Sequence, residues 1–83
     1  NRGDRLTMAK LEGNMGIVHR RRGDLEAARA AQERSLALAE ALGNERSIAS
    51  ALTNLGGVHA DAGRYEEALA TQEKHLKAIG YIN

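Results

Sequence analysis

Residues 14–24 read NMGIVHRRRGD and residues 54–64 read NLGGVHADAGR. Laid over each other without a gap, residues 4–43 and 44–83 are identical at 12 of 40 positions, among them Asn14/Asn54, Gly16/Gly56, Val18/Val58, His19/His59, Gly23/Gly63, Ala28/Ala68, Gln32/Gln72 and Leu36/Leu76. Met15/Leu55, Leu25/Tyr65, Arg34/Lys74 and Thr7/Ser47 are similar as well. A fixed period of roughly 20 to 50 residues marks stacked supersecondary units, none of which can bury its own apolar face alone.

Inside each unit the apolar period is helical. Leu25, Ala28, Ala31, Ser35, Leu36, Ala39 and Leu42 recur at steps of three and four, and Ile48, Leu52, Leu55, Val58 and Ala62 do the same. Gly23, Gly43 and Gly63 interrupt these runs where a left-handed residue ends a helix, and Asp24 and Asn44 follow where a side-chain oxygen caps the next one. The spacing predicts helices over residues 5–21, 25–42, 45–61 and 65–79, with Gly80 releasing a short tail. The fold class is therefore all-α: two antiparallel helix hairpins, repeats 4–43 and 44–83, stacked within one unit, 1–83.

The composition agrees with one small unit and narrows its function. The chain has 83 residues, no proline, no cysteine and only two aromatics, Tyr65 and Tyr81. A chain this short buries only about 60% of the surface its unfolded state exposes, and without cysteine no disulfide compensates. The net charge of +1 sets up no strong field for nucleic acid or anionic membrane, and the basic excess sits mostly in Arg20-Arg21-Arg22. No run approaches the roughly 18 apolar residues of a membrane span, and NRGDRLTMAK lacks the apolar core of a secretory signal. These features predict a cytoplasmic protein with no membrane partner. The first residue is Asn1 rather than Met, which reads as a piece cut from a longer chain.

The spacing Met15-Gly16-x2-His19 with Gly23 and Ala28, and again Leu55-Gly56-x2-His59 with Gly63 and Ala68, resembles the tetratricopeptide repeat. That resemblance covers nearly the whole chain and implies that the two hairpins stack as a fragment of a right-handed α-solenoid. It implies that Gly16 and Gly56 let the paired helix approach closely, with Ala28 and Ala68 the small residues on the other side. Three departures stand out: a unit of 40 residues rather than 34 with no closing proline, similar to the long-helix subclass of scaffolds and bacterial regulators; His19 and His59 where the family has an aromatic; and Gln32 and Gln72 where it has another.

The same resemblance implies that the first helix of each hairpin lines a partner-binding surface, with Asn14 and Asn54 hydrogen-bonding the backbone of a bound peptide. Amides suit this task because each offers a donor and an acceptor. One turn further on, Ile17, Arg20 and Arg21 in the first repeat, and Gly57, Ala60 and Asp61 in the second, share that surface. A lysine clamp for C-terminal carboxylates is not matched, since Lys10 is the only lysine in the first or third helix.

Several apparent motifs have plainer readings. His19 and His59, one repeat apart, should lie about 10 Å from each other, too far to share a zinc whose ligands sit about 2 Å from it. They and His75 read as core rings. Arg20-Arg21-Arg22 ends a helix, where the macrodipole favours cations, and three consecutive arginines fan out rather than converge. Their weaker alternative is a contact with an acidic partner or nucleic acid. The Arg-Gly-Asp triplets at 2–4 and 22–24 both read as a glycine turn followed by a capping Asp, not as adhesion signals.

No cysteine nucleophile, phosphate loop or metal-spaced cluster is present, so neither enzyme activity nor a cofactor is expected. What remains is a protein-interaction scaffold. Self-association is the leading alternative: two repeats without a polar capping helix should leave apolar end faces, to be covered end to end or by helix swapping.

Overall fold

The computed structural model describes residues 2–82. Four helices follow one another, α1 (Arg2–Arg21), α2 (Leu25–Leu42), α3 (Glu45–Asp61) and α4 (Tyr65–Ala78), with no strand among the described residues. Each turn is set by its glycine. Gly23, Gly43, Gly63 and Gly80 take φ values of 79°, 65°, 76° and 78°, in the region that side chains with a Cβ avoid. Past the first two turns, Asp24 accepts from the Ala27 amide at 3.4 Å and Asn44 from the Ser47 amide at 3.0 Å. The third turn is weaker, because Arg64 stands at the cap position and makes no capping bond through its side chain.

Two expectations need correction. α1 begins at Arg2 rather than at residue 5, so Gly3 and Asp4 lie in its first turn and the first Arg-Gly-Asp is not a turn. A first turn has no intrahelical partners for its N–H groups, and an acidic side chain there is favoured by the helix dipole, so this sequence is compatible with helix. The Thr7 hydroxyl donates back to the Gly3 carbonyl at 2.9 Å. Ala62, placed on the apolar face by its spacing, is instead the exposed C-cap of α3. The second triplet, Arg22-Gly23-Asp24, does form a turn and a cap. Of the tail, Tyr81 and Ile82 lie beyond α4, while Asn83 is outside the described residues.

The helices form a plate with Cα extents of 36 × 33 × 13 Å. Its core has two parts of different character. Between α1 and α2 the buried residues are small or polar: Ala9, Ala28, Ala31, Gln32 and Ser35. Between α2 and α3 they are larger, with Leu36 packed against Ala51, Leu52, Leu55 and the partly buried Ile48. α2 is therefore covered on two sides. α4 has no buried residue, and its Tyr65 and Leu69 remain 68% and 67% exposed.

His59 lies mostly inside, as a core ring should. Its Nδ1 has no hydrogen-bond partner and sits 3.7 Å from a Glu67 carboxylate oxygen. His19 and His75 are only half-buried.

Candidate functional site

α1 and α3 run beside each other along one side of the plate, and two cavities open between them. The first, of about 200 Å³, is lined by Lys10, Gly13, Asn14 and Ile17 from α1, Ser47, Ser50 and Asn54 from α3, and Gln32 and Ser35 from α2 beneath. The second, of about 410 Å³, continues past Ile17 and Asn54 to Arg20, Arg21 and Asp61. Ile17, Gln32 and Asn54 line both.

Of the eight residues expected on a partner surface, Asn14, Ile17, Arg20, Arg21, Asn54 and Asp61 thus meet in one groove, while Ala60 lines a separate cavity between α3 and α4. Gly57 does not line the groove, and its role is different. A Cβ built on Gly57 would lie 2.7 Å from the Arg20 Cζ, so glycine here is the seat of the Arg20 guanidinium.

Arg20 and Asp61 also engage each other. Nε donates to Oδ2 at 2.6 Å and Nη2 to Oδ1 at 3.2 Å, a forked geometry that joins the end of the first repeat to the end of the second. The hydrogen bond to Asp61 raises the Arg20 pKa above its ordinary value, and the bond from Arg20 holds the Asp61 carboxyl below its own. Both side chains are about two-fifths exposed, so water screens the pair. Arg20 is therefore positioned, and its charge largely answered, before any partner arrives. Lys10 and Arg21, in contrast, form no ion pair with any described residue.

Sequence reading missed Gln32. It comes from α2, yet its side chain passes between glycines of α1 to reach the groove. A Cβ on Gly16 would stand 2.9 Å from its Cδ and 3.0 Å from its Cγ. Nε2 donates to the Gly13 carbonyl at 2.9 Å, which orients the amide, because the reversed amide would set oxygen against oxygen. Oε1 is left buried with no partner, an arrangement that costs about 1–3 kcal/mol when nothing answers it. The signal was present as a glutamine where the resembled family carries a ring, opposite two glycines one turn apart. Ser35, one turn along α2, donates likewise to the Ala9 carbonyl at 2.8 Å.

Among the described residues no group of three or more His, Cys, Asp or Glu side chains could hold a metal ion, and no helix is long and apolar enough to cross a membrane. What the geometry defines is a helical-hairpin repeat protein with a polar groove between the first helices of its hairpins. A family model described as tetratricopeptide repeat matches residues 7–79, and the chain belongs to that family. Tetratricopeptide repeats generally mediate protein–protein interactions and are typically non-catalytic. Comparison with curated proteins gave no match, and neither did comparison with solved structures.

Proposed function

We propose that this chain is a non-catalytic binding module that holds an extended segment of another protein in the groove between α1 and α3. The observation that carries this reading is the run of unpaired polar groups along one continuous channel. Asn14 and Asn54 present amides from opposite helices, Ser47 and Ser50 add hydroxyls, and Gln32 forms part of the floor. An extended main chain supplies alternating N–H and C=O groups that such a channel answers without chemistry. Lys10 towards one end and Arg21 towards the other favour a segment with acidic side chains.

The test is selection of 12-residue peptides from a random display library, followed by titration of the winners. Replacing both amides, Asn14→Ala with Asn54→Ala, removes about two hydrogen bonds of roughly 1 kcal/mol each, so affinity should fall about tenfold or more. Thermal stability should barely move. Unchanged affinity, or a large loss of stability, would count against the groove.

Contact with nucleic acid through Arg20, Arg21 and Arg22 is the weaker reading, because Arg20 is already held by Asp61. Binding to a DNA duplex at low salt that fades as salt rises would revive it. A second reading, self-association, is favoured by a separate observation. Met8, Leu11, Met15 and Val18 on α1, and Tyr65, Leu69 and Ile79 at α4, lie exposed at the two ends of the plate.

A further inference from the structure

One difference between the repeats places a carboxylate beside a mostly buried imidazole. His19 and Ala27 of the first repeat become His59 and Glu67 in the second. The His59 side chain is only 12% exposed, its Nδ1 is buried with no hydrogen-bond partner, and a Glu67 carboxylate oxygen lies 3.7 Å away. That separation is too long for a hydrogen bond but within the range of an ion pair. His19 has no such neighbour among the described residues.

The charges around His59 do not balance. The cavity of about 470 Å³ that it lines is walled by Glu26, Arg29 and Glu33 of α2 and by Arg64 and Glu67 at the start of α4. Arg29 pairs with Glu26 and Glu33, and Arg64 pairs with Glu26. Two arginines against three glutamates leave one negative charge, and it falls on Glu67, which pairs with no arginine or lysine among the described residues. Of the other charged or titratable groups that face α3, Arg20 of α1 is taken by Asp61, Arg21 lines the groove, and His75 of α4 lines a different cavity. A proton on His59 would bring the set to neutrality. The helix ends favour the same state, because His59 is in the last turn of α3 and Glu67 in the first turn of α4, where each dipole stabilises the charge beside it. A charged ring withdrawn from water needs a counter-charge, and Glu67 is the carboxylate within reach.

We propose that His59 and Glu67 form a pH-operated latch between α3 and α4. Above the imidazole range the neutral ring and the carboxylate lie side by side without a bond. As pH falls through about 6.5 both ring nitrogens carry protons, and the Nδ1 N–H closes onto Glu67. α4 is the helix that gains, since it has no buried residue and no capping side chain, and among the described residues no side-chain hydrogen bond ties it to α3. The ion pair exists only in the protonated form, so its contribution is present below the imidazole range and is lost as pH rises through it. Asp61 acts in the opposite direction and at lower pH, so the two effects separate along the pH axis.

A double-mutant cycle of His59→Gln and Glu67→Gln, read by urea denaturation at about pH 8 and about pH 5.5, tests the latch. The cycle cancels what either residue contributes alone, including Glu67 acting on its helix dipole. Coupling between the two should be negligible at the higher pH and about threefold in the unfolding equilibrium constant at the lower, the size of a partly exposed ion pair. Coupling that is absent at both values, or the same at both, would overturn the proposal. A second measurement uses the unaltered chain. The carbon NMR signal of the Glu67 side-chain carboxyl should shift in step with the His59 ring between about pH 7.5 and about pH 5.5, while that of Glu66 should move only in the carboxylate range. His59→Gln should erase the early step. A Glu67 signal that follows Glu66 in the unaltered chain would sink the latch, and that result stands even if His59→Gln fails to fold.

Discussion

The two hairpins share a template and use it differently. In the first, side chains of α2 reach across to the backbone of α1: Gln32 to the Gly13 carbonyl, Ser35 to the Ala9 carbonyl, with Arg34 paired to Glu12 outside them. In the second, Thr53 stands in place of Gly13, and His75 in place of Ser35. Thr53 and Thr71 turn back to carbonyls of their own helices, at 3.0 and 2.8 Å, and Gln72 is exposed. No comparable bond ties α4 to α3 among the described residues. A repeat identity in sequence, Gln32/Gln72, is therefore not an identity of role: Gln32 packs against Gly16, whereas Gly56, the same glycine in the second repeat, faces only Thr71 and Ala68.

The sharpest way to break this comparison is at the paired glycines. Gly16→Val should destabilise the chain by about 2–3 kcal/mol, since the new side chain occupies the space of Gln32, overpacks a buried seam and displaces the bond to Gly13. Gly56 has no such tenant, because a Cβ there would meet only the Thr71 methyl at 3.8 Å and the Ala68 carbonyl at 4.0 Å. Gly56→Ala should stabilise by about 0.5–1 kcal/mol, the helix-interior preference for alanine. Urea denaturation of the two variants should give opposite signs, and a shared sign would mean that the hairpins pack alike.

Next in size is the pair of glutamines. Gln32→Ala should cost about 1–3 kcal/mol through the lost bond and the cavity, whereas Gln72→Ala should stay within about 0.5 kcal/mol of the unaltered chain. Gln32→Met refines the point. It fills the same space and removes the unanswered Oε1, while the Gly13 carbonyl keeps its place in the helix, so it should cost less than the alanine variant by thermal melting. Amide hydrogen exchange offers a reading without mutation: α4, with nothing buried, should exchange faster than α2, which is covered on both sides.

These contrasts mark what the sequence alone could reveal. Helix boundaries were legible because Gly23, Gly43 and Gly63 need positive φ and Asp24 and Asn44 cap α2 and α3, all effects within a few residues. The start of α1 was not, since Gly3 and Asp4 have the form of a turn and a cap before Arg5, yet both lie inside the helix. The groove members Asn14, Ile17 and Asn54 were legible from the family resemblance, which says which helix faces outward. Gln32 was not, because its role depends on how closely α1 and α2 approach, and the same spacing in the second repeat leads Gln72 to solvent. Nor could spacing show that Arg20 and Asp61, 41 residues apart, face each other over Gly57. That meeting depends on the rotation between successive hairpins, which no single repeat encodes.

The smallest expected effect lies at that joint and is best read through pH. The Arg20 hydrogen bond holds the Asp61 carboxyl below its ordinary value, so the native state favours the ionised form more than the unfolded chain does. A group lowered in this way contributes stability above the ordinary carboxylate range and loses it as pH falls through its native value. Glu26, lowered by Arg29 and then Arg64, acts in the same direction, so acid should weaken the chain at two places. Asp61→Asn separates them. At neutral pH it should lower the urea midpoint slightly, since the pair is exposed and screened by water. As pH falls into the acid range the gap between Asp61→Asn and the unaltered chain should close, while Glu26 keeps the slope of both curves positive with rising pH. A gap that persists unchanged into acid would mean that Asp61 acts through packing against Gly57 and Arg20 rather than through its charge. Salt supplies the same discrimination, because added salt should narrow a charge-based gap and leave a packing one in place.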